Sequence, residues 1–335
     1  MAEDLSSLPA LWANGNDFIL VPDKGKRLCL ARSVNYVTTE MLSPGFWENI
    51  GSIEPWGWDS LLVAMLKRAN CPTPLLPSEN ELSEWRKLSN RALCSQMLPF
   101  LIDGSPRFIG ESVVCNDVPQ IERFLELHGD IMLKAPWSGS GRGVFRCSRH
   151  NKETALPRAA NVIGKQGAIE AEPFYERIQD FAMEFTAKSD GSVSYDGLSV
   201  FATNSAGAYG GNLLGNEEKL FFFLSPWISS CELSLLKENC VKALSALVAR
   251  KYSGRLGIDM MVVRHNGKTK IHPCVEVNLR NTMGRVAICA SKVFSSYSRS
   301  MVCPLKSLPE NSQQLTLGAR SFSFALLQGN AMGGR

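Results

Sequence analysis

The sequence has 335 residues, with 36 basic and 32 acidic side chains for a formal net charge of +4, and 44% of it is hydrophobic. Such a length and composition belong to a globular protein of two or three domains and exclude a disordered chain. The positive balance is spread out with no basic block, which leaves no electrostatic footprint for nucleic acid.

The longest apolar run, Leu220 to Ile228, is interrupted by Ser225 and Pro226 and falls far short of the roughly 20 residues of a membrane span. The opening Met-Ala-Glu-Asp-Leu lacks the basic region and apolar core of a secretory leader, so the cytoplasm is the expected compartment. Ten cysteines include no pair at two-residue spacing and read as reduced, mostly buried thiols rather than a zinc ribbon or a disulfide framework. The four histidines show no metal-ligand spacing.

In chain order, Phe18 to Val21 reads as a short strand ended by Pro22. Leu61, Leu62, Ala64, Met65 and Leu66 predict a helix around Trp58 to Lys67, closed by Asn70 and a connector with Pro72, Pro74 and Pro77. Ser78 and Glu81 have the form of a capping box, and helical spacing continues to Leu98. A first domain boundary is expected near residue 100. Ile131 to Leu133 and Val144 to Cys147 flank a loop with Gly139, Gly141 and Gly143, a hairpin with a glycine-rich tip. Strand-like stretches follow at Ala168 to Phe174, Asp180 to Ala187 and Gly197 to Thr203. An amphipathic helix is expected over Glu232 to Arg250. The alternation marks a mixed α and β protein.

Asn266-Gly267 lies between two apolar runs and predicts a type I′ hairpin, whose turn needs positive φ at both central residues. That register sets Asp259 across from Cys274, with Glu276 and Asn278 on the same face by period-2 alternation. Asp259 and Glu276 would then be diagonal neighbours roughly 7 to 8 Å apart at Cα. A bulge at Pro273 would alter the pairing. Two carboxylates and an amide oxygen on an otherwise apolar strand pair suit Mg²⁺, a hard cation that also takes water and phosphate oxygens. A solvent-facing hairpin edge is the competing reading.

Lys134 at a strand end, followed by small residues whose N–H groups can approach oxygens, reads as a phosphate cradle or as an ordinary glycine-rich turn. The run lacks the Gly-Lys-Ser/Thr ending of a Walker loop, and no dinucleotide fingerprint opens a helix there.

The order of these pieces resembles the ATP-grasp superfamily: Lys134 and its glycine loop, Glu172-Pro-Phe-Tyr175, Asp180-Phe181, Asp259, then Glu276-Val-Asn278-Leu-Arg280. The resemblance covers roughly residues 80 to 295 and is most specific at the Glu-x-Asn-x-Arg string. It implies an α/β (α+β) chain in which two α+β subdomains, about 101–171 and 172–300, sandwich ATP. A smaller α/β domain over 1–100 precedes them, and a tail over 301–335 follows. By this resemblance Arg91 stands where the family usually has a phosphate-touching lysine, and Lys134 is the second such lysine. Ser138, Gly139, Ser140 and Gly141 belong to the loop that closes over the phosphates. Glu172, Phe174 and Tyr175 form the adenine-recognising hinge, with Glu170 a competitor for its acidic position, and Asp180 binds the ribose. Asp259, Glu276 and Asn278 are the magnesium ligands, with Glu276 between two ions. Arg280 lies near the transferred phosphate.

The resemblance implies an ATP- and Mg²⁺-dependent ligase that activates a carboxylate as an acylphosphate for attack by an amine or other nucleophile. Its alternatives are a kinase of the same architecture and a non-catalytic nucleotide-binding protein. The expected partners are small-molecule carboxylates and amines, with no nucleic acid and no membrane, and homo-oligomerisation is left open. Trp56, Trp58, Tyr195 and Tyr209 are substrate-contact candidates. Arg142 and Arg285 read as anion contacts or as ordinary surface arginines. Glu184 reads as a solvent-facing strand residue.

Overall fold

The computed structural model describes residues 2–30, 33–138, 143–204, 207, 209–294, 300–305, 312–318 and 323–328. Near the N-terminus, Phe18–Leu20 pairs in parallel with Asn35–Val37. Asp59 caps the helix Ser60–Arg68, its Oδ1 accepting from Leu62 N at 2.7 Å. The helix Glu79–Leu88 opens on the expected capping box, with Ser78 N donating to Glu81 Oε2 at 2.8 Å. The pattern that predicts helix through to Leu98 is broken after Leu88 and resumes as Ala92–Leu101. Asn90 starts the second segment by accepting a hydrogen bond from Ala92 N at 2.9 Å. This second helix buries Leu93, Cys94, Met97, Leu98 and Leu101 in the largest core of the molecule.

Two antiparallel sheets follow. The smaller has the spatial order Val113–Cys115, Ile169–Pro173, Asp130–Lys134, Val144–Ser148. The helices Val118–His128 and Lys152–Gln166 pack on it, burying Ile121, Leu125 and Ala159 with Ile131, Leu133, Ile169 and Ala171 of the strands. Strand alternation therefore turns Met132, Lys134, Glu170 and Glu172 to the opposite face.

The larger sheet has eight strands in the order Lys268–Asn278, Gly254–His265, Glu176–Ala187, Val193–Thr203, Tyr209–Leu213, Ser300–Leu305, Ser323–Gln328, Ser312–Gln314. Phe181, Met183, Phe185, Ile258 and Met260 point into a core shared with the helices Ala92–Leu101, Glu217–Leu224 and Ser230–Leu247. Asp180, Glu184 and Asp259 share the other face by alternation. The helix Met283–Val293 covers the far half of that face. The stretch expected as a tail instead supplies strands to this sheet, and Thr316–Leu317 pairs with Arg27–Leu28. Leu315 and Leu326 are buried in a second core with Leu8, Leu11, Ile19 and Val286, so apolar burial draws this stretch back onto the N-terminal segment. Among the described residues no helix is long and apolar enough to cross a membrane.

The hairpin turn is as expected, with positive φ at Asn266 (51°) and Gly267 (71°). From His265↔Lys268 to Met261↔His272 the pairing follows that turn. It then shifts, so Asp259 faces Glu276 and not Cys274. Pro273, Cys274 and Val275 lie opposite Met260 alone, a bulge at a proline that has no N–H for the ladder.

Candidate active site

The bulge brings the acidic residues together more closely than a regular ladder would. Asp259 and Glu276 stand directly opposite one another, and Asn278 pairs with Gly257. Asn278 Nδ2 donates to Asp259 Oδ2 at 3.1 Å, and Arg280 Nη2 donates to Asn278 Oδ1 at 2.8 Å. Asp259 is half-buried by surface yet crowded by its neighbours. Burial first, and the Glu276 charge second, push its carboxyl up to about 7. Two facing carboxylates call for positive charge, and the Arg280 guanidinium acts on Asp259 from behind Asn278. Arg91 supplies some, with Nη2 3.0 Å from Glu276 Oε1. Among the described residues no group of three or more His, Cys, Asp or Glu is placed to hold a metal. The donors here are two carboxylates and one amide, a hard oxygen set that fits Mg²⁺ with positions left for water and phosphate.

Across from these residues, the small sheet presents Lys134. Its Nζ is 2.5 Å from Glu172 Oε2 and donates to Val275 O at 3.0 Å, so one ammonium joins the two sheets. Burial would lower the Lys134 pKa, but Glu172 and then Glu170 outweigh it and the net direction is upward, so the charge is kept. Arg91, just before the helix Ala92–Leu101, donates through Nη2 to Ser138 O at 3.2 Å and through N to Pro136 O at 3.1 Å. Arg91, Ser138 and Glu276 thus meet. Gly139, Ser140 and Gly141, expected in the same loop, lie outside the described residues.

The hinge positions divide by alternation. Glu170 and Glu172 share the face of Lys134, while Ile169 and Ala171 enter the core of the small sheet. Both acids therefore lie at the cleft. Glu172 takes the lysine, and Glu170 Oε1 accepts from Ser112 Oγ at 2.5 Å. Burial, then the Glu172 charge, raise Glu170 to about 7. Burial followed by Lys134 lowers His272 to about 3, so its ring is neutral. Its Nδ1 faces Cys274 N at 3.4 Å, which assigns the proton to Nε2, 4.0 Å from Glu172 Oε2. Glu170 Oε2, Glu172 Oε1 and His272 Nε2 are buried without a hydrogen-bond partner among the described residues. Phe174 is 37% exposed beneath the Arg146 guanidinium, which is 4.1 Å from its ring centroid. Tyr175, by contrast, is buried against the rings of His265 and His272. Asp180 lies further along the strand, its Oδ2 accepting from Thr203 Oγ1 at 2.7 Å, and burial raises its pKa.

This architecture has counterparts among solved structures. Biotin carboxylase from Campylobacter jejuni aligns with a TM-score of 0.56 at 14% identity, over 92% of this chain and 80% of that one. N5-carboxyaminoimidazole synthetase from Staphylococcus aureus, solved with ADP, aligns with a TM-score of 0.53 at 11% identity, over 93% and 86% of the two chains. The biotin carboxylase domain of the Hydrogenobacter thermophilus 2-oxoglutarate carboxylase gives 0.53 at 14% identity, over 86% and 72%. These neighbours are ATP-grasp enzymes. The chain has the ATP-grasp fold. No protein-family model and no curated protein matches the sequence, so what this chain does with the fold is argued from its residues.

The cleft also contains groups that the sequence alone did not single out. Glu184 is not solvent-facing but 3% exposed, and it accepts from Thr282 Oγ1 at 2.6 Å. Burial dominates and the Asp259 charge adds, raising Glu184 to about 8, so it is largely protonated at neutral pH. A Cβ on Gly257 would lie 2.7 Å from Glu184 Oε2, and one on Gly284 would crowd Oε1 more closely. These glycines were the available signal, since they only acquire meaning once the sheet sets them around one carboxyl. Tyr195 is not at the cleft. It packs on Phe185 and donates to Glu217 Oε1 at 3.1 Å on the helix-covered face.

Proposed function

We propose that this chain is an ATP- and Mg²⁺-dependent ligase that activates a carboxylate as an acylphosphate for capture by an amine or other nucleophile. The observation that carries the reading is one juxtaposition: Asp259, Glu276, Asn278 and Arg280 on the large sheet, met by Lys134 from across the cleft and by Arg91 from the start of the helix Ala92–Leu101. Phosphoryl transfer needs little covalent chemistry from a protein and much charge compensation and alignment, and this arrangement is of that kind. Asp259, Glu276 and Asn278 would hold magnesium, which would neutralise phosphate charge as phosphorus passes between oxygens. Lys134 and Arg91 would hold phosphate oxygens, Arg280 would face the transferring group, and Phe174 with the 172–175 backbone would border the base. No protein nucleophile is required.

The test is a screen of ADP release across carboxylates and amines, followed by Glu276→Ala on the active pair. Turnover in the variant should fall at least about a hundredfold, the scale of losing a group that stabilises transition-state charge, while circular dichroism stays unchanged. Undiminished Mg²⁺-dependent turnover would refute the assignment. ADP release sustained by a carboxylate or hydroxyl compound with no second nucleophile would instead identify a kinase.

A further inference from the structure

Beyond the metal carboxylates, the same face of the large sheet ends in a cluster of arginines that the phosphate chemistry does not use. Asp196 Oδ2 accepts from Thr186 Oγ1 at 2.6 Å and lies 3.3 Å from Arg285 Nη1 and 3.4 Å from Arg255 Nη1. Arg255 Nε is 3.1 Å from Glu54 Oε1 of the N-terminal segment.

Two guanidiniums, Arg255 and Arg285, therefore share the one Asp196 Oδ2 oxygen, and Glu54 reaches Arg255 alone. Arg285 Nε and Asn281 Oδ1 are in addition buried without a hydrogen-bond partner among the described residues. A guanidinium that is 12% exposed with a free donor calls for an acceptor of matching planarity. The N-terminal segment walls this corner. Trp12 lies under the Arg285 guanidinium at 5.6 Å, and Asn281 is fixed to Trp56 O at 2.7 Å and to Pro55 O at 3.0 Å.

We infer that this corner binds a compact oxyanion group, carboxylate or phosphate, carried by the second substrate and held by Arg285, with Asp196 occupying the guanidinium until the substrate arrives. This inference rests on the ligase reading for its location beside the transferring group. It goes further in assigning the substrate an anionic group and in making Arg285 a specificity residue.

The experiment is calorimetric titration of the full chain, saturated with Mg²⁺ and a non-hydrolysable ATP analogue. The probes are succinate, L-aspartate and phosphoethanolamine, with neutral succinamide as control. At least one anion should bind and succinamide should not, and which anion binds separates carboxylate from phosphate. Arg285→Ala should weaken that anion by about tenfold, the scale of one charge-assisted contact, with affinity for the ATP analogue within about twofold of wild type. Asp196→Asn removes the competing carboxylate and should tighten the anion about threefold, an effect of opposite sign to the loss expected of a merely structural pair. No anion binding, equal binding of succinamide, or an unchanged Arg285→Ala affinity overturns the inference. If Arg285→Ala does not fold, unchanged or weaker binding by Asp196→Asn overturns it. Failure of the folded wild type to bind the ATP analogue would instead overturn the ligase reading.

Discussion

Glu184 shows how a residue acquires a role only through distant neighbours. Its own segment, Met183-Glu184-Phe185, alternates as any amphipathic strand does, and the solvent-facing reading is the natural one. Gly197, Gly257, Thr282 and Gly284 come from three other elements and enclose it. Asp196 and His272 were equally invisible, because their partners are also remote in sequence. Glu276, Asn278 and Arg280 were legible because three ligating or charged groups at two-residue spacing on one strand form a local signal. Glu184 also yields a pH prediction. Its folded pKa of about 8 lies above the ordinary carboxyl value of 4.5. The folded state therefore holds a proton that the unfolded chain releases, and the stability linked to this group is present below about 4.3 and lost as pH rises through about 8. Glu184→Gln keeps the hydrogen bond from Thr282 and removes that titration. In urea unfolding the variant should gain on wild type progressively from pH 5.5 to 8.5, and a gap that does not vary with pH would show that Glu184 is not held protonated.

Among the elements, those with local punctuation were readable. The Ser78 and Asn266-Gly267 signals correspond to a capped helix start and a tight turn. The register beyond Met261 was not, since the Pro273 bulge depends on how the strand leaves the ladder to meet Lys134 through Val275 O. Strands after residue 300 were missed because they are short and take their burial from the N-terminal segment and the sheet edge. The strand Gly254–His265 illustrates an element fitted to its neighbours. Gly257 has no positive φ demand, yet a Cβ there would lie 2.7 Å from Glu184 Oε2 and 2.9 Å from Thr282 Cγ2. Thr282 is the N-cap of the helix Met283–Val293, with Oγ1 accepting from Arg285 N at 3.1 Å. Gly257→Ala should therefore displace the cap and cost about 1–3 kcal/mol, the usual range for overpacking a filled interior. Chemical denaturation measures it. A loss below about 0.5 kcal/mol, the range of an inconsequential substitution, would mean that Thr282 gives way freely.

For the whole molecule, the cleft is a meeting of two sheets held by few polar links. Lys134 of the small sheet reaches Val275 O, Arg91 ties the start of the helix Ala92–Leu101 to Glu276, and in the segment before Val113–Cys115 backbone bonds join Ile109 N to Ile271 O at 2.8 Å and Ile271 N to Arg107 O at 2.9 Å. Net charge said nothing of this arrangement, because the cations and carboxylates gathered at the cleft cancel in the sum. The Arg91–Glu276 pair is the link with a competing use. Glu276 cannot give full strength both to a guanidinium and to a metal ion, and Asp259 beside it raises the demand for positive charge. Arg91→Ala should destabilise the protein in EDTA, since it leaves Glu276, which faces Asp259, without its nearest cation. Added Mg²⁺ should then raise the melting temperature of the variant by more than it raises that of wild type, because binding to the folded state alone stabilises it and the vacated carboxylate is available. Scanning calorimetry at matched ionic strength, with Na⁺ replacing Mg²⁺ as control, makes the comparison. Equal Mg²⁺ shifts in the two proteins would mean that Arg91 and the metal do not share Glu276, and that the guanidinium belongs to the phosphates alone.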